Sequence, residues 1–149
     1  MTPRKVGWKK WTIRMALLAV VGFALIQVIP YGWNRTNPPV LAEPAWDSPQ
    51  TRQLANDACF ACHSNETTWP WYTRIAPFSW LAYKDVVDGR KHLNFSEWPS
   101  RGADEAARQL LSGEMPPIQY KLLHPESRLS DQQIQQLADG LRKTIPGSR

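Results

Sequence analysis

Two cysteines and a histidine stand close together in the segment Cys59-Phe60-Ala61-Cys62-His63. Residues three apart on a helix lie on one face, about one turn apart, so two thiols at this spacing can reach the two vinyl groups on one edge of a porphyrin. The histidine that follows can offer an imidazole nitrogen to the iron. The pattern therefore predicts one covalently attached haem c, bound through Cys59 and Cys62, with His63 as the proximal iron ligand.

Other uses of these cysteines, which are the only two in the chain, have to be weighed against haem. A thioredoxin-like redox pair needs a βαβ context, which the sequence does not offer. A structural zinc site needs two more ligands, and beyond His63 only His92 and His124 remain, at spacings that match no common zinc finger. A plain disulfide is the third alternative, and we expect haem in preference to all three.

The second iron ligand is predicted to be Met115, the only methionine after residue 15. It lies in Gly113-Glu114-Met115-Pro116-Pro117, where two prolines stiffen a loop that can hold a thioether against iron. A gap-filling core methionine is the ordinary alternative. His92, His124 and an open or water-bound site are the rival assignments. The other ring nitrogen of His63 should donate to a backbone carbonyl, which we expect from the loop between Trp69 and Pro77.

The elements that must position these residues are predicted to be helices. A helix should run from Ser48 to about His63, with Ser48-Pro49 as its N-cap and first residue. Others are expected over about 78–89 and 103–112, and a last one should begin at a Ser130–Gln133 capping box and stop before Pro146-Gly147. No segment has the period of a strand, so the fold class is all-α, a small cytochrome c-like domain around a haem. A domain of about a hundred residues that is interrupted by prolines and tryptophans buries a marginal core, so a large apolar cofactor would supply the missing packing. Four tryptophans are expected to wall the pocket of this cofactor or, as the ordinary alternative, to fill the small core: Trp69, Trp71, Trp80 and Trp98.

The first 33 residues have the pattern of a membrane anchor. From Met15 to Pro30 only Gln27 is polar, basic residues precede this run, and aromatic residues bracket it. We therefore expect one N-terminal transmembrane helix within residues 1–33, uncleaved, with the N-terminus in the cytoplasm. A cleaved signal peptide is the alternative, but the nearest cleavage pattern, Val40-Leu41-Ala42, lies about a dozen residues past the apolar run. A Pro-rich tether over 34–47 and a haem domain over 48–146 should follow, in the periplasm.

The charge of the chain is concentrated in that leader. The net charge is +5, but residues 1–42 hold six of the 18 basic residues and none of the 13 acidic ones, so residues 43–149 carry 12 basic and 13 acidic side chains. A nucleic-acid-binding domain shows a basic surface of its own. This composition therefore argues against nucleic acid as a partner.

Several segments together resemble the bacterial haem-binding domain family, and the order of the elements resembles the class I cytochromes c. The segments are Cys59 to His63, residues 65–72 (NETTWPWY), residues 88–90 (DGR), residues 94–98 (NFSEW), residues 113–117 (GEMPP) and residues 124–126 (HPE). The resemblance covers roughly residues 45–145. It implies a covalent haem and a periplasmic location, and it brings no established reaction with it.

The expected function is one-electron transfer by a protein held at the inner membrane, and not catalysis. A His/Met-ligated haem has no free coordination site and a raised potential. Expected partners are the membrane and redox proteins such as a respiratory complex or a periplasmic peroxidase. The alternatives are a haem-based sensor or peroxidase-like protein with an open or displaceable distal site, and a thiol–disulfide oxidoreductase without haem.

Overall fold

The structure is a computed structural model that describes residues 6–100 and 103–145. These residues form helices and turns without a strand, which agrees with the all-α prediction. One isolated parallel bridge pairs Ala42 with Glu97. The α-helices are α1 (Val6–Ile26), α2 (Pro49–Ala58), α3 (Phe60–His63), α4 (Phe78–His92), α5 (Ala106–Leu111), α6 (Ile118–Leu123) and α7 (Asp131–Thr144), and 3₁₀ turns cover Trp71–Arg74, Ala103–Glu105 and Pro125–Ser127.

The prediction of a transmembrane helix is wrong. Within the described residues, no helix has both the length and the apolar character that crossing a membrane requires. The reason lies in α1, which has Lys9, Lys10 and Arg14 inside it and ends at Ile26 instead of continuing to Pro30. The part of α1 after Arg14 has only 12 residues, Met15 to Ile26, whereas a span needs about 20 apolar residues. The same finding contradicts the expected location as a single-pass inner-membrane protein.

The chain divides into two compact units. The first comprises residues 1–35 and 70–83. In it the side-chain amide of Gln27 donates to the carbonyl of Ala76 at 3.1 Å and accepts from the N–H of Ala76 at 2.9 Å. Tyr31 and Tyr83 pack edge to face, with 5.3 Å between ring centroids. Gln27, the one polar residue of the apolar run, is thus a backbone-binding residue at the end of α1.

The second unit comprises residues 36–69 and 84–149, and it contains the main apolar core. The buried faces of α2, α5 and α7 supply most of this core, including Leu54, Leu110, Leu137 and Leu141. α2 and α7 pack closely at Gly140, where a Cβ atom would overlap the side chain of Thr51. Phe60 of the cysteine-containing segment belongs to this core, and Cys59 packs against it.

The sequence predicted the capped starts of two helices correctly but not the lengths or the number of the helices. Ser48 caps α2, accepting from the N–H of Thr51 at 3.1 Å, and Ser130 and Gln133 form the expected capping box of α7. The predicted helix from Ser48 to His63 is interrupted at Cys59, α4 continues to His92, and α6 was not predicted. The predicted stop at Pro146-Gly147 lies outside the described residues.

Candidate functional site

The cysteine-containing segment begins where α2 ends. Cys59 leaves helical geometry, with φ −122° and ψ −36°, and separates α2 from the single turn of α3. Its carbonyl accepts from the N–H of Cys62 at 3.1 Å and from the N–H of His63 at 2.9 Å. This turn keeps the two thiols and the imidazole within one short, hydrogen-bonded segment.

The imidazole of His63 is held by the end of α4. Its Nδ1 lies 3.0 Å from the carbonyl oxygens of both Gly89 and Leu93. Because both partners are acceptors, Nδ1 carries the proton and Nε2 has a lone pair available for a metal. Burial lowers the pKa of His63, which favours this neutral form. The carbonyls come from residues 89 and 93, so their expected source in the loop between Trp69 and Pro77 is wrong.

The two thiols are free, and both are protonated at neutral pH. Burial raises the pKa of Cys59 to about 12 and that of Cys62 to about 11, with smaller contributions from the Cys62 thiol and from Asp85 respectively. Attack on a disulfide requires the thiolate. These groups are therefore poor candidates for thiol–disulfide exchange.

A cavity of about 470 Å³ lies against this segment, within the second unit. Its walls are formed by the cysteine-containing segment, the last turns of α4, α5, and the loop that contains Pro116 and Pro117. The walls are mainly apolar, with charged groups such as Lys84, Asp85 and Glu105 also present. Burial raises the pKa of Asp85. Sites for small molecules and cofactors are typically apolar clefts of about 300–1,000 Å³, so this cavity has the size and lining of a cofactor site.

The structure brings Met115 to the same cavity as Cys59, Cys62 and His63. The N–H of Met115 donates to the carbonyl of Gln109 at 3.1 Å, which ties the loop to the end of α5. The side chain remains 39% exposed. Met115 is therefore at the cavity and not in the closed core.

The two rival histidines occupy different positions. His92 lines the cavity, but it lies on α4, next to the carbonyls that bind Nδ1 of His63. Nδ1 of His92 lies 2.8 Å from the carbonyl oxygen of Asp88, one turn earlier on the same helix. His124 is not a lining residue. Its ring stacks on Tyr120 at 4.0 Å, and its Nδ1 lies 2.8 Å from Oε1 of Glu126.

The Asn-Phe-Ser segment after α4 fixes the residues that follow His63. The side-chain amide of Asn94 donates to Oδ1 of Asn65 at 2.9 Å, and its oxygen accepts from the N–H of Ser96. The hydroxyl of Ser96 in turn accepts from the N–H of Asn65 at 2.9 Å. These three side chains are buried, so their mutual satisfaction matters for stability.

Arg90 reinforces the same connection. Its Nε donates to the carbonyl of Ser64 at 2.8 Å, and its Nη2 donates to Oδ1 of Asn37 and Oγ1 of Thr67. Burial lowers the pKa of Arg90. The guanidinium thus joins α4 to the chain on both sides of the cysteine-containing segment.

The prediction that four tryptophans wall the pocket is wrong. None of Trp69, Trp71, Trp80 and Trp98 lines the cavity. Trp71 is exposed, and Trp98 packs against the apolar core of the second unit. Gly89, Leu93 and Tyr120 are among the lining residues that the sequence analysis did not predict. The Asp-Gly-Arg segment within α4 was a signal for Gly89, because glycine inside a helix usually marks a close approach.

A family model described as a haem-binding domain matches residues 21–143. The chain belongs to the haem-binding domain family. No curated protein and no solved structure matches it.

The cavity of this haem-binding domain fits the group that the family name implies. His63 presents an unprotonated nitrogen, the two thiols are neutral, and most of the wall is apolar. Within residues 6–100 and 103–145, no three histidine, cysteine or carboxylate side chains are grouped as ligands of a metal ion. A porphyrin supplies the remaining ligands to iron itself, so this donor set suits haem better than a bare metal ion such as zinc.

Proposed function

We propose that this haem-binding domain is a c-type haem protein that transfers single electrons to and from protein partners. Cys59 and Cys62 hold the haem through thioether bonds, His63 is the proximal iron ligand and Met115 is the distal ligand. One observation carries the proposal: four side chains, one of them 52 residues after His63, line the same apolar cavity of about 470 Å³.

Each of these residues has a defined task. The haem supplies the one-electron Fe(III)/Fe(II) couple. His63 is fixed in the correct tautomer by two carbonyls, and the soft, neutral thioether of Met115 favours ferrous iron and a raised potential. If His63 and Met115 both ligate the iron, a substrate would have no free coordination site, which suits an electron carrier and not a catalyst. Apolar walls limit the rearrangement of water when the charge of the site changes.

The second candidate is a sensor or a peroxidase-like protein with a displaceable distal ligand. It is favoured by the exposure of Met115, which leaves 39% of this residue open to solvent. An exposed thioether leaves room for a diatomic gas or peroxide to approach the iron and displace this ligand. Carbon monoxide separates the two functions, because a ferrous iron that keeps Met115 binds it poorly and an open iron binds it readily.

Thiol–disulfide exchange without haem is the least favoured function. Attack by either thiol needs the thiolate, and burial raises the pKa of both groups well above neutral pH, to about 12 for Cys59 and about 11 for Cys62. The small fraction of thiolate that remains near pH 7 makes exchange slow.

The covalent attachment is tested on protein produced with a haem-attachment system. We expect the intact mass to include one haem and the colour to stay with the polypeptide during acid–acetone extraction. Cys59→Ala and Cys62→Ala should each lower the yield of extraction-resistant holoprotein sharply, because each removes one thioether bond. His124→Ala is the matched control and should leave the yield unchanged. A wild-type mass without haem, or haem that is fully extracted, would contradict the proposal.

A further inference from the structure

The last turn of α4 lies so close to the cysteine-containing segment that no side chain fits between them. A Cβ atom placed on Gly89 would lie 2.5 Å from the carbonyl oxygen of Cys62 and 3.1 Å from its carbonyl carbon and its Cβ. The obstructing atoms are mostly backbone, which cannot rotate away. Any residue larger than glycine at position 89 would therefore push the helix and the segment apart.

This close approach delivers two carbonyl groups to His63. Gly89 itself provides one of them and Leu93 the other, each 3.0 Å from Nδ1. The Gly89 carbonyl also accepts the helical hydrogen bond from the N–H of Leu93 at 2.9 Å. On the other side, the carbonyl of His63 accepts from the N–H of Phe95 at 2.8 Å. Residues 89–95 therefore hold both the ring and the backbone of His63.

We propose that Gly89 is a positioning residue that sets the reduction potential of the iron, by fixing the distance between α4 and Nδ1 of His63. The inference rests on the proposed function, in which Nε2 of His63 ligates the iron. A hydrogen bond from Nδ1 to a carbonyl makes the imidazole a stronger electron donor. A stronger donor stabilises ferric iron, and so lengthening this hydrogen bond favours the ferrous state and raises the potential.

The test compares Gly89→Ala with Gly140→Ala. Both substitutions place a methyl group where a glycine is closely packed, but Gly140 meets the side chain of Thr51 and does not line the cavity. In the holoprotein, Gly89→Ala should shift the equilibrium about tenfold toward ferrous iron, about 59 mV for a one-electron couple. The Nδ1 proton of His63, followed by NMR in the diamagnetic ferrous state, should exchange faster with solvent. Gly140→Ala should lower stability and leave both measurements unchanged.

Each outcome decides the proposal. An unchanged potential in fully loaded Gly89→Ala would overturn it, as would an equal shift in Gly140→Ala, which would show a general effect of destabilisation. If Gly89→Ala retains no haem, the proposal is tested by the exchange rate of the His63 Nδ1 proton in the wild-type holoprotein. Slow exchange of the Nδ1 proton supports the proposal, and exchange as fast as that of an exposed imidazole overturns it. His63→Ala distinguishes failure of this inference from failure of the proposed function. A wild-type low-spin spectrum in that variant would overturn the proposed function as well.

Discussion

At the residue scale, the proposed function assigns the distal iron position to Met115 in preference to the two other histidines. His92 lies on α4, whose carbonyls bind Nδ1 of His63, and His124 is committed to Tyr120 and Glu126. We expect Met115→Ala to keep its covalent haem, to lose the weak charge-transfer band of a thioether on ferric iron, and to have a lower potential. The reduced variant should bind carbon monoxide, because the distal position is then open.

The histidine variants are the controls for that prediction. His92→Ala and His124→Ala should leave the visible spectra of both oxidation states nearly unchanged, although His124→Ala removes a stacked ring and should cost some stability. If one of them became high-spin while Met115→Ala kept the wild-type spectrum, the haem would be bis-histidine ligated and the assignment of Met115 would be wrong. Carbon monoxide binding to the reduced wild-type protein would favour the sensor or peroxidase-like function instead.

Glu43 gives a prediction about pH. Its carboxylate accepts two hydrogen bonds from Arg52, at 2.7 and 2.8 Å, and one from the indole of Trp46. The hydrogen bond from Arg52 lowers the pKa of Glu43 below 4.5 despite the opposing effect of burial. Since the folded value is the lower one, its stabilisation is complete above about pH 4.5 and is lost as the pH falls through the folded pKa. Arg52 is 40% exposed, so the effect should be below about 1 kcal/mol.

Urea unfolding at about pH 6 and about pH 3.5 measures this contribution. Glu43→Gln should be less stable than wild type at the higher pH, and the difference between the two should shrink at the lower pH. Asp139→Asn is the control, because Asp139 pairs with Arg142 on the exposed surface and does not line the cavity, and its effect should be near zero at both values. A difference between wild type and Glu43→Gln that does not depend on pH would contradict the prediction.

At the element scale, α7 depends on the N-cap that precedes its first residue. The Ser130 hydroxyl accepts from the N–H of Gln133, and the Gln133 side chain accepts from the N–H of Ser130 at 2.9 Å. We expect Ser130→Ala to lower the free energy of unfolding by about 1 kcal/mol, the usual value of an N-cap. Ser112→Ala, at an exposed serine after α5, should change it by less than about 0.5 kcal/mol. Equal effects in urea unfolding would show that the cap does not stabilise α7.

The same elements show how far sequence reasoning reaches. Local signals were sufficient for the two caps, because Ser48 and Ser130 act on backbone groups within three residues. The break at Cys59 and the carbonyls that bind His63 were not predictable in this way. No local pattern marks the break at Cys59. The carbonyls reach His63 because α4 packs against a segment 26 residues earlier, through a contact that depends on the absence of a side chain at Gly89. Tertiary packing, which local periodicity does not encode, determines that part of the site.

At the scale of the whole molecule, composition gave a wrong prediction for the leader and a useful prediction for the second unit. The apolar run in the leader predicted a transmembrane helix, but residues 27–30 of that run follow the end of α1, and Arg14 lies within the helix. For the second unit, its small size and its interruption by prolines and tryptophans predicted a marginal core, whose packing a large apolar cofactor would complete. The cavity of about 470 Å³ beside Leu110 and Leu141 agrees with that expectation.

The stability of the whole molecule should therefore depend on the haem. Leaving an enclosed cavity empty costs roughly 24 cal/mol per Å³, which for 470 Å³ gives an upper limit of about 11 kcal/mol, and the opening to solvent reduces it. A domain is stable by only about 5–15 kcal/mol in total.

The wild-type chain produced without a haem-attachment system should therefore unfold at a much lower urea concentration than the holoprotein, as measured by near-ultraviolet circular dichroism. A holoprotein with only one thioether bond, Cys59→Ala, should keep most of the gain, because the apolar contacts remain. If the apoprotein matched the holoprotein within about 1 kcal/mol, a size that single contacts already reach, the haem would not be part of this core.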